Sequence, residues 1–299
     1  FFKPGFSPHL LLGHNYITHF VVVARTLLDA VGPLRSEFDG SQDYDFVLRA
    51  TEKAHEVHHI PSMLYHWRTL PTSVAGDPRS KMYAYEAGKR AIEEALARRS
   101  LPGVVTMLDN LGTYRIDYEM ALPRIAVVLS SYSAAQIEKL KSLTAYDGVR
   151  YIPVSDSSSI NAAVASCDEE YVALLSGVMP QDSSWLGNMV NYCADPSVSV
   201  VGGKVYDAQS RVLNAGITLR ALRSGRPFEM RGLWDEGIGY YFRDLLPREM
   251  FGVTEDCLLV RKRDFTSSGG VDCSLEEGLR GVDLCVRIHS APNAGCVLW

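Results

Sequence analysis

Apolar residues follow two different spacings along the chain, and the spacing changes near residue 120. In the second part, short continuous apolar runs alternate with segments whose apolar residues recur at helical spacing. Continuous apolar runs are typical of strands buried in a parallel sheet, and their alternation with helices indicates βαβ connections. The predicted strands are residues 124–130, 149–153, 171–175 and 198–202, and the predicted helices are residues 134–143, 160–166 and 185–193. This part predicts an α/β fold with a mostly parallel sheet.

The first 120 residues predict more helix than strand. The predicted elements are a short strand and then a helix within residues 19–31, a helix that begins near Ser41, a strand over residues 57–65 and an amphipathic helix over residues 81–99. Gly32 and Pro33 form a stop signal for the first helix, and the Ser41 hydroxyl suits an N-cap. We therefore place a domain boundary near residue 120, which divides the chain into residues 1–120 and 121–299.

Composition narrows the class of protein. Hydrophobic residues make up 46% and charged residues 22%, as in a globular protein. The formal net charge is −5, so no basic field indicates a nucleic-acid partner. No apolar run approaches the roughly 20 residues of a transmembrane helix. The six cysteines include no CxxC pair and mostly neighbour apolar residues, which favours buried free thiols in a reducing compartment.

A weak internal repeat relates the two parts. Gly32 and the later segment QDYDFVLR, residues 42–49, are echoed by Gly269 and the segment RGVDLCVR, residues 280–287. Both copies place a glycine turn shortly before a helix that carries an aspartate and, four residues later, an arginine. A repeat of this kind predicts two copies of one fold.

The repeated scheme and its surroundings resemble the acceptor-side region of family 2 glycosyltransferases. They also resemble the stretch between the tandem transferase domains of bacterial polysaccharide and rhamnan-type synthesis proteins. The matching segments are residues 3–4, 14–17, 40–45, 59–61, 64–68 and 83–88. The resemblance implies a GT-A, Rossmann-like α/β fold in both parts: the C-terminal, acceptor-side part of one domain, with a helical linker, and then a second domain.

The resemblance also implies an activity. Family members transfer a sugar from a nucleotide-diphosphate donor to a glycan or lipid-linked acceptor, with inversion at the anomeric carbon. Acids of a D-x-D motif hold Mn²⁺ or Mg²⁺ on the diphosphate, and an aspartate removes the acceptor proton. A sugar hydroxyl is a poor nucleophile, so a carboxylate within hydrogen-bond reach must act as the base. The expected role of the chain is hexosyl or rhamnosyl transfer in cell-surface polysaccharide synthesis.

Residue by residue, the resemblance assigns candidate roles. Asp43 matches the catalytic base, although an acid at this helix start could also serve only to stabilise the helix dipole. His66 matches a late metal ligand or phosphate contact, with a plain strand end as the alternative. The candidate substrate-binding residues are Gln42, Asp45, which has a structural role as its alternative, His14, Asn15, Arg68 and Ser73.

The second domain departs from the family pattern. Ser176, Gly177 and Val178 stand where the D-x-D acids are expected, and Gly281 replaces the base. A metal site built from these positions would lack a carboxylate. We therefore expect the second domain to be degenerate. We also expect the first domain to be represented only by its acceptor half, with both chain ends truncated, so that this chain alone is inactive.

Two other functions compete with glycosyl transfer. One is a non-catalytic glycan-binding or scaffold domain of a larger transferase, favoured by the missing acids. The other is a zinc peptidase, since His55, Glu56 and His59 satisfy H-E-x-x-H; this motif needs an uninterrupted helix, which Pro61 argues against. A dinucleotide-binding Rossmann protein is excluded because no G-x-G-x-x-G follows residues 124–131.

The expected location follows from the same features. Free cysteines, no signal peptide and a need for nucleotide sugars predict a cytoplasmic protein, with peripheral association at the inner face of the membrane as a further expectation.

Overall fold

The computed structural model describes residues 2–66, 82–218, 239–290 and 296–298. The chain divides into two compact units. Unit 1 contains Phe1–Glu119 and Gly237–Arg248, and unit 2 contains Met120–Glu236 and Glu249–Trp299. A short excursion of the later sequence therefore belongs to the first unit.

Four α-helices and a hairpin are the main elements in the described part of unit 1. The helices are α1 (Pro8–Gly13), α2 (Arg25–Val31), α3 (Gln42–Lys53) and α4 (Met82–Arg98), and the strands are β1 (Gly103–Met107) and β2 (Tyr114–Tyr118). Helix α4 confirms the predicted amphipathic helix, because its apolar face is buried. Helix α2 ends at Gly32, which has a φ of 84°, as the stop signal predicted. Helix α3 begins after Ser41, but the Ser41 hydroxyl donates to the Ala84 carbonyl and does not cap the helix.

Two predicted strands of unit 1 are wrong. Residues 19–23 and 57–65 adopt no strand, and several of their apolar side chains are exposed. The antiparallel pair β1–β2 was not expected from the sequence. A strand exists only when a second backbone supplies hydrogen bonds, so an apolar run alone does not determine it.

Unit 2 is built around a six-stranded sheet. Its strands are β3 (Ile125–Ser130), β4 (Val149–Val154), β5 (Tyr171–Ser176), β6 (Val198–Gly202), β9 (Cys257–Arg261) and β10 (Cys296–Leu298), in the spatial order β10-β6-β9-β5-β3-β4. The pairs β3–β4, β3–β5 and β6–β10 are parallel, and β9 runs antiparallel to both of its neighbours. The predicted α/β class with a mostly parallel sheet is confirmed. A separate small ribbon pairs β7 (Val205–Tyr206) with β8 (Val212–Asn214).

Helices cover both faces of this sheet. They are α5 (Ala134–Ser142), α6 (Ile160–Ala165), α7 (Trp185–Asn191), α8 (Lys262–Ser267) and α9 (Arg280–Ser290). Side chains of β3 alternate between two buried clusters: Val128 packs with α6, α8 and α9, whereas Val127 packs with α5 and α7. The result is a three-layer arrangement with the sheet in the middle.

The expected thiol state is confirmed where the structure describes it. Cys167, Cys193 and Cys285 are buried, Cys257 and Cys273 are half-buried, and none of these five forms a disulfide within the described residues. Burial raises the pKa of the Cys193 thiol to about 12, as it does for Cys257 and Cys285. Among the helices that the structure describes, none is long and apolar enough to span a membrane.

Candidate functional sites

Asp43 lies in the first turn of α3 and is half-buried. Its Oδ1 accepts a hydrogen bond from the Tyr44 amide at 2.9 Å, and its Oδ2 accepts one from Asn15 Nδ2 at 3.3 Å. The start of a twelve-residue helix favours a negative charge at this position. The structure thus brings together two of the predicted site residues, Asp43 and Asn15, from distant parts of the sequence.

The side chains of Gln42 and His14, which were also predicted to bind substrate, contact other parts of unit 1. The Gln42 side chain folds back on the preceding turn, where its Oε1 accepts from the Gly40 amide at 2.8 Å. His14 Nδ1 lies 3.0 Å from the Gly112 carbonyl, and the rings of Tyr241 and Phe242 pack edge-on against it. Burial lowers the pKa of His14, and its contact with Gly112 partly counters this effect. A neutral imidazole follows for His14 at neutral pH.

The surroundings of Asp45 favour its structural alternative, and its contact with substrate stays a prediction. Its side chain is 0% exposed, and both oxygens are bound by arginines. Arg49 Nη2 and Nε donate to Oδ2 at 2.8 and 3.0 Å, Arg35 Nε donates to Oδ2 at 3.1 Å, and Arg35 Nη2 contacts Oδ1. Arg35 also bonds to Glu94 of α4 at 2.7 Å, so this cluster joins α3 to α4.

The same arrangement occurs in unit 2. Asp283 of α9 pairs with Arg287 at 2.6 Å, as Asp45 pairs with Arg49 four residues later in α3. Each arginine also binds two carbonyls around the end of the preceding helix: Arg49 binds those of Val31 and Pro33, and Arg287 those of Ser268 and Gly270. The repeated sequence therefore corresponds to a repeated structural device that fastens one helix to the end of another.

The position equivalent to Asp43 differs sharply in unit 2. Asp43 lies two residues before Asp45, and the residue two before Asp283 is Gly281. A Cβ added to Gly281 would lie 2.5–2.7 Å from the backbone of residues 253–255. The Glu255 carboxylate instead accepts from the Gly278 and Gly281 amides at 2.8 and 2.9 Å. The start of α9 therefore has no room for the side chain of a base.

This crowding predicts an unusual cost for a small substitution. Gly281→Ala should destabilise unit 2 by about 1–3 kcal/mol, because overpacking against backbone cannot be relieved by a rotamer change. The measurement is the free energy of unfolding in urea. Gly187→Ala in α7 is the matched control, since nothing lies within 4 Å of its added Cβ, and it should be neutral or stabilising by about 1 kcal/mol. Equal effects of the two substitutions would contradict the crowding argument.

A small cleft opens in unit 2 at the carboxyl ends of β3 and β5. Its polar lining is Ser130, Ser176, Glu255, Asp256, Glu277 and Arg280. Ligands of open α/β sheets bind at this edge, where neighbouring strands connect in opposite directions. The sequence did not predict these acids as site residues, because no strand was predicted for residues 257–261. Strand β9 runs antiparallel to β5, so Asp256 at its start lies beside Ser176 at the end of β5. The Ser176 amide donates to the Asp256 carbonyl at 3.2 Å.

Two acids of this cleft accept hydrogen bonds, and the acids also affect one another through their charges. Burial raises the pKa of Asp256, the Thr254 hydroxyl at 2.9 Å counters the rise, and the charges of Glu255 and Glu277 add to it. Glu255 uses both oxygens to bind backbone amides. Across the ranges given above, no group of three histidine, cysteine or acidic side chains is arranged to hold a metal. The described residues thus identify no ligand set for the divalent ion that the resemblance implies, and this ion stays a prediction.

The remaining predicted positions lie elsewhere. His66 is exposed, and its role as a metal ligand stays a prediction. Arg68 and Ser73 lie outside the described residues. The zinc-peptidase hypothesis is wrong, because the H-E-x-x-H motif needs an uninterrupted helix. Helix α3 ends at Lys53, so His55 and His59 follow the helix and do not share one of its faces.

Comparison with curated proteins finds two relatives along almost the whole chain. An uncharacterized protein of Sinorhizobium fredii, y4gI, is 33% identical and matches 97% of this chain over 36% of its own length. The O-antigen biosynthesis protein RfbC of Myxococcus xanthus is 28% identical and matches 97% of this chain over 26% of its own length. The chain thus spans about a third or less of the relatives that it matches. No family model matches it.

Two solved structures that the chain resembles are distant likenesses. A structure of GalNAc-T7 with UDP, GalNAc and Mn²⁺ has a TM-score of 0.36 and 12% identity, covering 64% of this chain and 44% of the other. The mannosyltransferase PcManGT of Pyrobaculum calidifontis, in complex with GDP-Man and Mn²⁺, has a TM-score of 0.34 and 13% identity, covering 73% and 66%. TM-scores this low do not establish a shared fold, and no conclusion about the site follows from them.

Proposed function

We propose that this chain is part of a family 2 glycosyltransferase of the GT-A fold that acts in cell-surface polysaccharide synthesis. In this proposal, residues 1–120 are the acceptor side of one transferase domain and residues 121–299 are a second domain. The observation that carries the proposal is the half-buried Asp43 carboxylate at the start of α3, within a chain that matches an O-antigen biosynthesis protein over 97% of its length.

The proposed chemistry uses Asp43 as a base. The acceptor hydroxyl oxygen attacks the anomeric carbon of a nucleotide-diphosphate sugar and forms the new glycosidic bond. The bond from that carbon to the diphosphate breaks, and the nucleoside diphosphate leaves with the electron pair. The hydroxyl proton passes to the Asp43 carboxylate. Attack opposite the leaving group inverts the anomeric centre.

Donor and metal binding are a separate part of the proposal. A divalent ion, Mn²⁺ or Mg²⁺, would neutralise the charge of the departing diphosphate when bound. Because the described residues do not form its site, we assign no step of the reaction to it. His66, Arg68 and Ser73 remain the proposed contacts of the donor side, with cytoplasmic nucleotide sugars as the donors and a glycan or a lipid-linked glycan as the acceptor.

Unit 2 supports a second candidate function. Gly281 provides no side chain that could act as a base at the position equivalent to Asp43, and the Glu255 carboxylate accepts a hydrogen bond from the backbone amide there. We therefore propose that unit 2 is a degenerate copy that binds glycan or supports the larger enzyme. Its cleft at the ends of β3 and β5 offers hydroxyl, carboxylate and guanidinium groups, which suit a polyhydroxylated ligand.

The two functions are separated by donor binding and transfer. The protein expressed from its complete coding sequence is titrated with UDP-, GDP- and dTDP-hexoses, with and without Mn²⁺, and then supplied with a glycolipid extract of the source cells. A transferase should bind one donor more tightly with Mn²⁺ and transfer its labelled sugar with inversion, as determined from the anomeric proton coupling of the product. Glycan binding without metal-dependent donor binding or transfer would favour the scaffold and contradict the proposed reaction.

A further inference from the structure

The Asn15 side chain has a fixed orientation beside Asp43. Its Oδ1 accepts from the Thr18 amide at 3.4 Å, and its Nδ2 donates to Asp43 Oδ2 at 3.3 Å. A backbone N–H can only donate, so the amide oxygen must face Thr18 and the NH₂ group must face the carboxylate. The two contacts thus exclude the flipped amide.

The turn that carries Asn15 is held from several sides. Thr18 has a φ of 37°, a conformation that non-glycine residues rarely adopt, and its side chain is hydrogen-bonded to Tyr241. Lys3 Nζ donates to the His19 carbonyl at 2.7 Å and also contacts the Ile17 carbonyl. Backbone held in such a conformation needs its surroundings to maintain it. Tyr241 comes from the excursion Gly237–Arg248, so residues far along the chain brace the turn next to Asp43.

We propose that Asn15 is a positioning residue, which aims the Asp43 carboxylate and does not bind the acceptor. Asn15 holds Oδ2 while the Tyr44 amide holds Oδ1, so the carboxylate is restrained at both oxygens. A base restrained in this way is ready for a hydroxyl without reorganising first. This inference rests on the proposed function and replaces the expectation that Asn15 contacts substrate.

The inference predicts a change in turnover without a change in acceptor binding. In the protein expressed from its complete coding sequence, Asn15→Ala should lower kcat by about 10–100-fold, the range for loss of a hydrogen bond to a charged group. The KM for the glycolipid acceptor should stay within about two-fold of the wild-type value, because in this proposal Asn15 does not bind the acceptor. Asn15→Asp keeps the shape but turns a carboxylate toward Asp43, and should lower kcat at least as much.

Controls separate positioning from folding and from binding. Asn188→Ala in α7 removes another side-chain amide, one that donates to Ser184 Oγ at 3.2 Å, and should leave kcat unchanged. A rise in acceptor KM with unchanged kcat would overturn the inference in favour of acceptor binding. A loss of activity matched by an equal loss of folded protein in thermal unfolding would overturn it in favour of a purely structural role.

A second measurement does not depend on activity. In a crystal structure of Asn15→Ala, the Asp43 carboxylate should leave its wild-type rotamer or occupy more than one. An unchanged single rotamer would overturn the inference. Failure of the proposed function is recognised differently: either the wild-type protein transfers no sugar, or Asp43→Asn retains the turnover of the wild type.

Discussion

Asp43→Asn in the protein expressed from its complete coding sequence should reduce sugar transfer by about 10²–10⁴-fold, the usual contribution of a general base. The amide keeps the size of the carboxylate and the place beside Asn15, but it cannot take the acceptor proton. Binding of the nucleotide sugar should stay nearly intact, since the base acts on the acceptor. The measurements are kcat with a labelled donor and donor affinity by calorimetry.

A neighbouring acid serves as the control for this prediction. Asp29 is exposed on α2 and pairs with Arg25 at 2.9 Å, so Asp29→Asn removes a carboxylate of the same unit without touching the Asp43 surroundings. Its turnover should be that of the wild type. If Asp43→Asn retained near-normal turnover, Asp43 would be an ordinary acid at a helix start that stabilises the dipole, and the proposed reaction would lose its base.

The sheet of unit 2 could be predicted from the sequence because burial on both faces leaves a direct mark. The strands β3, β4, β5 and β6 each lie within two residues of the predicted ranges, and the helices between them agree as closely. An apolar run of five or six residues bounded by polar segments has few alternatives when helices alternate with it. Strand β9 was missed, although it has the same apolar character, because nothing local indicates that a strand far along the chain inserts between β5 and β6.

Unit 1 shows where local pattern fails. Residues 19–23 and 57–65 have strand-like composition, yet Val22 is 81% exposed and Ile60 is 66% exposed, and neither segment is paired within the described residues. Propensity for a strand describes how well a side chain fits a pleated surface, and such a surface must exist first. The sequence identifies these segments as strand-like, but it does not show whether another strand pairs with them.

For a similar reason, the sequence predicts the candidate site only in part. Asp43 and Asp45 are two residues apart in the same helix, and the motif alone does not distinguish their roles. Burial does: Asp45 is enclosed by Arg35 and Arg49, whereas Asp43 stays half-buried beside Asn15. Only the fold reveals that residues 35 and 49 meet at one carboxylate.

Asp45→Ala should be the most destabilising single substitution considered for unit 1. Removing one partner of a buried ion pair costs about 3–5 kcal/mol, because the remaining charges lose their compensation. Here Arg35 and Arg49 both lose the acceptor that holds them, and the connection from α3 to α4 through Glu94 is weakened. The measurement is urea unfolding, with hydrogen exchange of α3 amides to assign the loss to unit 1.

The stability that Asp45 contributes should depend on pH in a definite direction. Burial alone would raise the pKa of Asp45, but hydrogen bonds and charges from Arg35 and Arg49 outweigh it, so the pKa lies below the ordinary value of 3.8. A carboxyl whose pKa is lowered on folding stabilises the fold above its unfolded pKa and loses this contribution as the pH falls through the folded one. The difference in unfolding free energy between wild type and Asp45→Ala should therefore be constant near neutral pH and shrink below about pH 4.

The repeat supplies the matched control for this prediction within the same molecule. Asp283 pairs with Arg287 in the same spacing, but the two side chains are 33% and 32% exposed, whereas Asp45 is fully buried. Solvent screens the pair in α9, so Asp283→Ala should cost only about 1 kcal/mol or less. Since sequence spacing and helix position are alike, a large difference between the two variants would assign the effect to burial of the carboxylate together with its additional partner Arg35. Equal costs would mean that the arginine contacts with the preceding helix end, which both units share, provide the stability and that the buried charge adds nothing.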